Sequence, residues 1–313
     1  MTQGFLTRSF IHRFPATALG LVLVVACEPP DRPERLLSSA AEILAAPDTT
    51  RSLRVAEGVR YRFLWLDEGP WAVHLLGVDL GRCELGLAVL RGRSSPSAGP
   101  GLSSVSEMVE RAGPSVLAAV NGDFFTPEGL PLGTDISAGS VRRARGRPAL
   151  AWEPGRDPWI GMVEINNGLV HVGRSVAVGD PAATLEVIGG FPELLDDGGP
   201  ATDSDDVRRS SFATTRHPRT AVAFDADLSV LWLVVVDGPQ GPYSSGMTLA
   251  ELTEVLVALG SEEAINLDGG GSSIMVVGGR TMSRPSDADG ERKVANALAV
   301  THDPTRCTTS ADF

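Results

Sequence analysis

Short apolar runs recur along most of the chain, some alternating with polar residues, and they predict a protein built mainly from β-strands. The runs follow one another across Gly-, Pro- and Asp-rich turns with few intervening helices, which favours antiparallel pairing. The predicted strands cover 61–66, 72–80, 84–90, 115–120, 149–152, 161–165, 185–188, 220–224, 230–236, 264–267, 274–277 and 297–300.

Two segments combine helical spacing with a capping box, in which two side chains bond free backbone amides at a helix N-terminus. Ser104 and Glu107 mark the first over 104–112, and Thr248 and Glu251 begin the second. The sequence therefore predicts an α+β fold, a single domain of mixed, largely antiparallel sheets flanked by a few helices.

The first thirty residues have the pattern of an export signal. Basic residues precede an apolar run at 18–25, which is too short to span a bilayer as a stable helix. The small residues that lead into Cys27 resemble a bacterial lipoprotein signal. We expect 1–26 to be a signal peptide and Cys27 to carry lipid, a plain cleaved signal being the alternative. An exported, membrane-anchored protein facing the periplasm or cell surface follows.

Composition divides the rest of the chain. Residues 27–58 are rich in Pro, Ser, Ala and charge, weakly helical around 36–44, and predict a tether. The folded domain is expected over 59–305 and a C-terminal tail over 306–313. Within the domain, the polar segment 196–216 is expected to be a mobile excursion.

Composition also excludes some classes of function. The chain has 313 residues, 42% of them hydrophobic, and a formal net charge of −12. It is long enough to bury a core, and its acidic balance argues against binding nucleic acid. Lys293 is the sole candidate for lysine-nucleophile chemistry. The histidines lack the spacing of a metal cluster, and His74, inside a predicted strand, is expected to be an ordinary strand residue.

Cysteine usage fits an exported protein. With Cys27 assigned to lipid, Cys83 and Cys307 remain as a possible disulfide. Two unpaired thiols are the alternative, because the sequence does not give the distance between them.

The most specific chemical signal is the segment Ile-Asn-Leu-Asp-Gly-Gly-Gly-Ser-Ser at 265–273. Asp268 ends a predicted strand, and the three glycines after it remove every side chain, so that backbone amides can approach a ligand closely. Such a turn suits an anion or the oxygens of a sugar. A flexible hairpin with a solvated aspartate is the alternative.

Two further segments place polar residues at strand ends. Asn121 and Asp123 flank a glycine and precede two phenylalanines, so that they could bind sugar hydroxyls while a ring packs on a sugar face. The same residues also form ordinary turns. Arg219, before another strand, offers paired donors that suit a phosphate, and a surface arginine is the alternative.

Together, Asn-Gly-Asp-Phe-Phe at 121–125, His-Pro-Arg-Thr-Ala at 217–221 and Asn-Leu-Asp-Gly-Gly-Gly-Ser-Ser at 266–273 resemble the phosphodiester glycosidase family. The resemblance extends over about 59–300. It has two departures: Asp123 stands where the family more often has glycine, and Pro239-Gln240 where it commonly has arginine. Connecting segments that also match lie at 188–190, 195–198, 236–238, 245–252 and 291–298.

The resemblance implies a single catalytic domain that hydrolyses the bond between a sugar's anomeric carbon and a phosphodiester oxygen, releasing free sugar and a phosphomonoester. Such a site needs donors for the phosphate and a carboxylate beside the anomeric carbon. Asp268 is the first choice for this carboxylate and Asp237 the second, with Arg219 on the phosphate. The other residues expected to bind substrate are Asn121, Asp123, Thr220, Asn266, Ser272 and Asn296, together with the amides of Gly269, Gly270 and Gly271.

Two other functions stay open on the sequence. One is a non-catalytic lipoprotein that binds surface polysaccharide in the same pocket, and the other is a metal-dependent phosphoesterase that uses the aspartates. We expect no cofactor, with calcium among the aspartates left open, and a substrate from cell-surface or environmental glycans. The arginine-rich run at 142–147 is expected to be a solvated loop, with a phosphate-binding surface as the alternative.

Overall fold

Antiparallel sheets dominate the computed structural model. It describes residues 39–93, 101–154, 156–166, 169–172, 176–178, 185–201, 207, 209–225 and 227–308. Every strand pair within these ranges is antiparallel, which confirms the predicted fold class.

The described strands are β1 (Thr49–Ala56), β2 (Val59–Leu66), β3 (Trp71–Asp79), β4 (Leu85–Arg91), β5 (Val116–Asn121), β6 (Asp135–Ser137), β7 (Ser140–Arg143), β8 (Pro148–Trp152), β9 (Trp159–Met162), β10 (Glu164–Asn166), β11 (Leu169–Val172), β12 (Val176–Val178), β13 (Glu186–Gly189), β14 (Glu193–Asp196), β15 (Gly199–Pro200), β16 (Arg219–Phe224), β17 (Val230–Val236), β18 (Glu263–Asn266), β19 (Met275–Val277), β20 (Arg280–Thr281) and β21 (Asn296–His302). The helices are α1 (Ser39–Ala45), α2 (Val105–Ala112), α3 (Ser211–Thr214) and α4 (Leu249–Ala258), with 3₁₀ turns at Gly270–Ser272 and Pro304–Thr308.

Two large sheets enclose the main core. One has eight strands in the order β1-β2-β3-β17-β16-β18-β14-β15, and the other has five in the order β20-β19-β5-β21-β4. Apolar side chains from both sheets, among them Leu76, Val120, Val222 and Leu298, pack into a single cluster. Burial of this apolar surface is the main force that holds the sheets together. A further five-stranded sheet, β7-β6-β13-β8-β9, and a three-stranded sheet, β10-β11-β12, complete the fold.

Helices cover the outer faces of the two large sheets. Helix α4 packs Leu252 and Val255 against the eight-stranded sheet, and α2 packs Val105 and Met108 against the five-stranded one. Both predicted capping boxes form. Each helix buries one apolar face, as its spacing predicts, and begins at its predicted cap.

The predicted tether needs correction, because the fold already includes Ser39–Ala56. Ala40 and Ile43 of α1 are fully buried, and β1 pairs with β2 from Thr49 opposite Trp65 onwards. Few apolar residues mark this segment in the sequence, since β1 is a largely exposed edge strand. The predicted signal peptide and Cys27 lie outside the described residues and stay predictions.

The C-terminus is attached to the domain by a disulfide between Cys83 and Cys307, with an S–S distance of 2.10 Å. The bond closes a loop of 224 residues and so restricts the unfolded chain. The predicted tail at 306–313 therefore begins inside a 3₁₀ turn. Within the described ranges no helix has the length and apolar character needed to cross a membrane.

Candidate active site

The three sequence motifs meet where β5 and β18 end and β16 begins. The Leu267 amide donates to the Thr220 carbonyl at 2.8 Å, and the Asp268 amide donates to the Gly122 carbonyl at 2.9 Å. Asn121 Nδ2 donates to the Asp268 carbonyl at 2.6 Å. Backbone segments that are far apart in the sequence are therefore joined directly.

Asp268 presents a partly buried carboxylate at the end of β18. Its Oδ1 accepts a hydrogen bond from the Gly269 amide at 2.9 Å, and its Oδ2 has no such bond within the described residues. Burial raises the pKa of Asp268 to about 6, while Ser272, the Gly269 amide and the Arg292 charge act to lower it. Ser272 Oγ lowers the pKa of Asp268 although it does not have the geometry of a hydrogen bond to it. One carboxylate oxygen is thus held and the other is open.

Asp123 is a second acid beside Asp268 and is only 1% exposed. Its Oδ2 accepts a hydrogen bond from the Gly133 amide, whereas the buried Oδ1 has no partner among the described residues. Burial raises the pKa of Asp123 to about 7; the Gly133 amide and the Arg147 charge lower it, and the charge of Asp268 raises it. Two interacting acids whose pKa values lie near neutrality are typical of a functional site.

Arg292 supplies positive charge to Asp268. Its guanidinium binds Asp287 through two hydrogen bonds, of 2.8 and 2.9 Å. The pair packs on Gly271, where any Cβ would overlap both side chains. Gly271 is therefore required for this close approach. Arg292 lies in the matching segment 291–298 but was not predicted as a site residue.

Arg147 supplies positive charge to Asp123. Its guanidinium lies 5.0 Å from the centre of the Phe191 ring, and it has no ion pair within the described part of the chain. It belongs to the run at 142–147 that was expected to be a solvated loop. Because Arg147 directly precedes β8, a buried strand, the run ends inside the fold rather than in solvent.

Arg219 does not reach the site, which corrects its predicted role on the phosphate. The side chain is 1% exposed, and its donors bind the carbonyls of Met247 at 2.8 Å, Phe212 at 2.7 Å and Thr215 at 2.9 Å. Burial lowers its pKa to about 10. Successive strand residues face opposite sides, so Thr220 points towards the motifs and Arg219 towards the opposite core.

Three of the predicted substrate-binding residues hold the motifs together instead. Thr220 Oγ1 donates to Asn121 Oδ1 at 2.8 Å. Asn296 accepts from the Asp123 amide at 2.9 Å and donates to Asp135 Oδ2 at 2.7 Å. Since Asn121, Thr220 and Asn296 are fully buried and bonded, their role is to fix the positions of the acids.

Two predicted residues do keep free polar atoms. Asn266 donates through Nδ2 to the carbonyls of Phe191 and Leu267, but its buried Oδ1 has no partner among the described residues. The buried Oγ atoms of Ser272 and Ser273 also lack one. Because buried polar atoms are usually bonded, each of these atoms is a candidate contact for a ligand.

The glycine turn offers fewer donors than the sequence predicted. The Gly269 amide binds Asp268 Oδ1, and the Gly270 amide binds the Pro218 carbonyl at 3.0 Å. These two amides are thus unavailable to a phosphate, which corrects the prediction that the glycine amides bind the substrate. The role of Gly271 is instead the packing of the Arg292 pair described above.

Asp237, the second-choice carboxylate, belongs to a separate and fully bonded network. Its Oδ2 accepts from Tyr243 Oη and is bonded to His74 Nε2, both at 2.9 Å, and its Oδ1 accepts from the Arg284 amide at 2.9 Å. His74 Nδ1 is bonded to Tyr61 Oη at 2.8 Å. His74 is therefore a strand residue, as predicted, but one that fixes Asp237.

Groups of three or more acids, cysteines or histidines that could together hold a metal ion occur at two places in the described residues, and neither includes Asp123 or Asp268. They are Cys83, Glu84 and Cys307, whose sulfurs form the disulfide, and Glu193, Asp196 and Glu263.

A family profile described as phosphodiester glycosidase matches residues 114–301, more than half of the chain. The match spans both acids, the glycine turn and the two arginines. The chain belongs to the phosphodiester glycosidase family. It is accordingly a hydrolase, and the family's general reaction type is the cleavage of phosphodiester-linked glycosides.

Solved structures share the fold of this phosphodiester glycosidase. A hypothetical protein from Synechocystis has a TM-score of 0.63 at 18% identity, over 82% of this chain and 64% of that one. A putative exported protein from Burkholderia pseudomallei has a TM-score of 0.58 at 22% sequence identity, over 74% of each chain. The zebrafish N-acetylglucosamine-1-phosphodiester alpha-N-acetylglucosaminidase catalytic domain, auto-inhibited by its pro-peptide, gives 0.56 at 21%, over 81% of this chain and 83% of that one. No curated protein matches the sequence.

Proposed function

We propose that the protein hydrolyses a sugar-1-phosphodiester between the anomeric carbon and the bridging oxygen, releasing free sugar and a phosphomonoester. The observation that carries the proposal is the open oxygen of Asp268, beside a second acid and within reach of two arginine charges. Family membership supports the reaction class.

Asp268 would act at the anomeric carbon. As the bond to oxygen breaks, the sugar ring develops positive charge, which an adjacent carboxylate stabilises. A pKa of about 6 leaves Asp268 mostly ionised at pH 7 yet basic enough to accept a proton from an attacking water. The hydrogen bond from the Gly269 amide fixes the direction of the open oxygen.

Arg147 and Arg292 would stabilise the phosphate as it leaves. A phosphomonoester departs as an anion, so nearby positive charge lowers the barrier more than a proton donor does. The pKa of about 7 keeps Asp123 largely neutral in mildly acidic solution. The site then carries one negative charge beside the anomeric carbon rather than two, which reduces repulsion of an anionic substrate.

The unpartnered atoms Asn266 Oδ1, Ser272 Oγ and Ser273 Oγ would bind sugar hydroxyls, which both donate and accept hydrogen bonds. The zebrafish relative is named for its action on an N-acetylglucosamine phosphodiester, which supports a sugar phosphodiester as the substrate class.

We further propose an exported lipoprotein, anchored through Cys27, that acts on cell-surface or environmental glycans. The apolar run before Cys27 supports export. The Cys83–Cys307 disulfide supports an oxidising compartment. Mass spectrometry of the membrane-extracted protein tests the anchor: a diacylated Cys27 at the N-terminus supports it, and an N-terminus beyond Cys27 contradicts it.

The reaction is tested by incubating the purified protein with a panel of sugar-1-phosphate methyl diesters and separating the products. Free sugar plus methyl phosphate is the expected result. Sugar-1-phosphate plus methanol, lost on addition of chelator, would instead identify a metal-dependent phosphoesterase. Tight binding of a polysaccharide without any product would identify a binding protein.

A further inference from the structure

An apolar cavity of about 400 Å³ lies beside Asp123, and the reaction described above does not use it. Its walls include Phe124, Leu132, Phe191 and Phe212. Arg147 is the one charged residue among the described residues that line it. We call this space the aromatic cavity. Its volume is within the range of pockets that hold small ligands.

Contacts between the wall residues and with residues behind them fix the walls of the aromatic cavity. The rings of Phe124 and Phe212 meet edge to face, with centroids 5.9 Å apart. Arg219 lies over Phe212 at 5.2 Å and binds its carbonyl, so the buried arginine holds this wall in place. The Phe191 amide donates to the Asn266 carbonyl at 2.7 Å, in the strand that leads to Asp268. A preformed cavity binds a ligand with little loss of side-chain freedom.

The aromatic cavity is connected to the acids. Phe124 follows Asp123 directly in the sequence, and its amide and the Arg147 charge both act on the Asp123 carboxylate. A phosphate that binds Arg147 would therefore lie between the acids and the phenyl rings. One cation at the edge of an apolar cavity is complementary to a ligand with a phosphate at one end and an apolar group at the other.

A second apolar cavity provides a comparison. It is larger, about 580 Å³, and lies between α4 and the β14–β15 hairpin. The charged residues among its described lining are Glu193 and Glu254, which would repel a phosphate. Apolar volume alone thus does not identify the substrate site; the arginine distinguishes the aromatic cavity.

We propose that the aromatic cavity binds the group beyond the phosphate and that this group is apolar. The substrates would then be sugar-1-phosphodiesters of an alkyl or aryl alcohol. This inference rests on the proposed hydrolysis and adds the class of leaving group. The sugar would bind the polar atoms around Asp268, and the apolar ester group would bind the phenyl rings.

The test is a series of diesters of one sugar-1-phosphate with methanol, butanol, octanol and phenol, using the sugar released fastest from the methyl panel. We expect kcat/KM to rise roughly fourfold for each methylene that the cavity buries, until it is full. The phenyl ester distinguishes a preference for rings from one for chains. Equal kcat/KM across the series overturns the inference while leaving the hydrolysis intact, and no hydrolysis of any member overturns the proposed function.

Filling the cavity checks that the preference arises there. Leu132→Trp is expected to reduce the octyl-to-methyl ratio of kcat/KM at least tenfold, because the indole occupies the apolar volume. Ala250→Trp in the second cavity is the matched control and should leave that ratio unchanged. An unchanged ratio in Leu132→Trp, or an equal fall in the control, contradicts the assignment. If Leu132→Trp does not fold, Phe191→Leu is expected to lower the ratio in the same direction.

Discussion

The regions around Asp237 and Asp268 each contain a buried or partly buried acid at the end of a strand, but they differ in how their polar atoms are satisfied. Both oxygens of Asp237 are bonded, to His74, Tyr243 and the Arg284 amide. Among the described residues, one oxygen of Asp268 has no hydrogen bond and a buried oxygen of the neighbouring Asp123 has no partner. A fully bonded network stabilises a fold, whereas unpaired polar atoms are available to a ligand.

The arginines show the same difference. Arg219 gives its donors to three backbone carbonyls inside the protein. Arg147 has no ion pair within the described residues and borders the aromatic cavity. The type of side chain therefore does not separate a structural cation from a binding one; the state of its hydrogen-bond donors does.

The largest expected effect separates the two acids by activity. Asp268→Asn should lower kcat for a sugar-1-phosphodiester at least ~1000-fold, because it removes the charge that stabilises the anomeric carbon. Because burial raises the pKa of Asp268, the free energy of unfolding of this variant at pH 7 should not fall below that of wild type. Asp237→Asn should instead reduce the free energy of unfolding by about 1–3 kcal/mol, since it disrupts a buried network. Denaturant titration and steady-state kinetics on both variants measure this, and full activity in folded Asp268→Asn contradicts the account.

The next effect separates the arginine that borders the aromatic cavity from an exposed arginine nearby. Arg147→Ala should lower kcat/KM about 10- to 100-fold, the value of a lost charged contact to phosphate. Arg145→Ala, two residues earlier in the same run and exposed, is the matched control and should retain nearly all activity. Equal losses in the two variants would mean that general surface charge, rather than one contact, binds the substrate.

The pH dependence of stability tests the environment of Asp123. Because burial raises its pKa to about 7, the folded protein binds more protons than the unfolded chain between about pH 4 and 7. Its contribution to stability is thus complete below pH 4 and is lost as the pH rises through 7. Asp123→Asn should remove this loss and be more stable than wild type at pH 8, by at most about 4 kcal/mol.

Glu186 is the matched control for this titration. Burial raises its pKa to about 7 as well, but both its oxygens accept backbone amides, from Val89 and Ala138. Glu186→Gln should change the free energy of unfolding over the same pH range. Its kcat/KM should fall only as far as the fraction of folded protein falls. A stability difference for Asp123→Asn that stays constant from pH 4 to 8 would contradict the raised pKa.

The smallest effect is expected at Gly271. Gly271→Ala should displace the Asp287 and Arg292 side chains, whose flexible ends can move. With Arg292 further from Asp268, the pKa of that acid should rise by a few tenths of a unit and move the acidic limb of the kcat/KM profile by the same amount. Gly241→Ala, where a Cβ meets no atom within 4 Å, serves as the control. An unshifted limb would mean that Arg292 does not tune Asp268.

The sequence predicted the fold class, the capped helices and most strands of the two large sheets. Those strands are apolar, and Gly, Pro and Asp residues indicate the turns between them. It missed β1, β14, β15 and β20 of these sheets, which are short or largely exposed. The segment 196–216, expected to be a mobile excursion, contains β15 and α3, while 202–206 and 208 lie outside the described residues.

At the site, the sequence predicted which segments meet but not which side chains remain free. Thr220 and Arg219 are adjacent, yet only the pairing of β16 decides which of them faces the acids. The roles of Asn121 and Asn296 as supports depend on bonds to residues more than 100 positions away. Such long-range bonds are fixed by the fold and leave no local pattern in one sequence.

The most direct measurement of the central claim is hydrolysis of a sugar-1-phosphodiester in water labelled with ¹⁸O, followed by mass spectrometry of the phosphomonoester. Attack at the anomeric carbon, assisted by Asp268, predicts that the phosphomonoester carries no label. The phosphate is the product to examine, because the anomeric hydroxyl of free sugar exchanges with water. A labelled phosphomonoester would show attack at phosphorus and contradict the account.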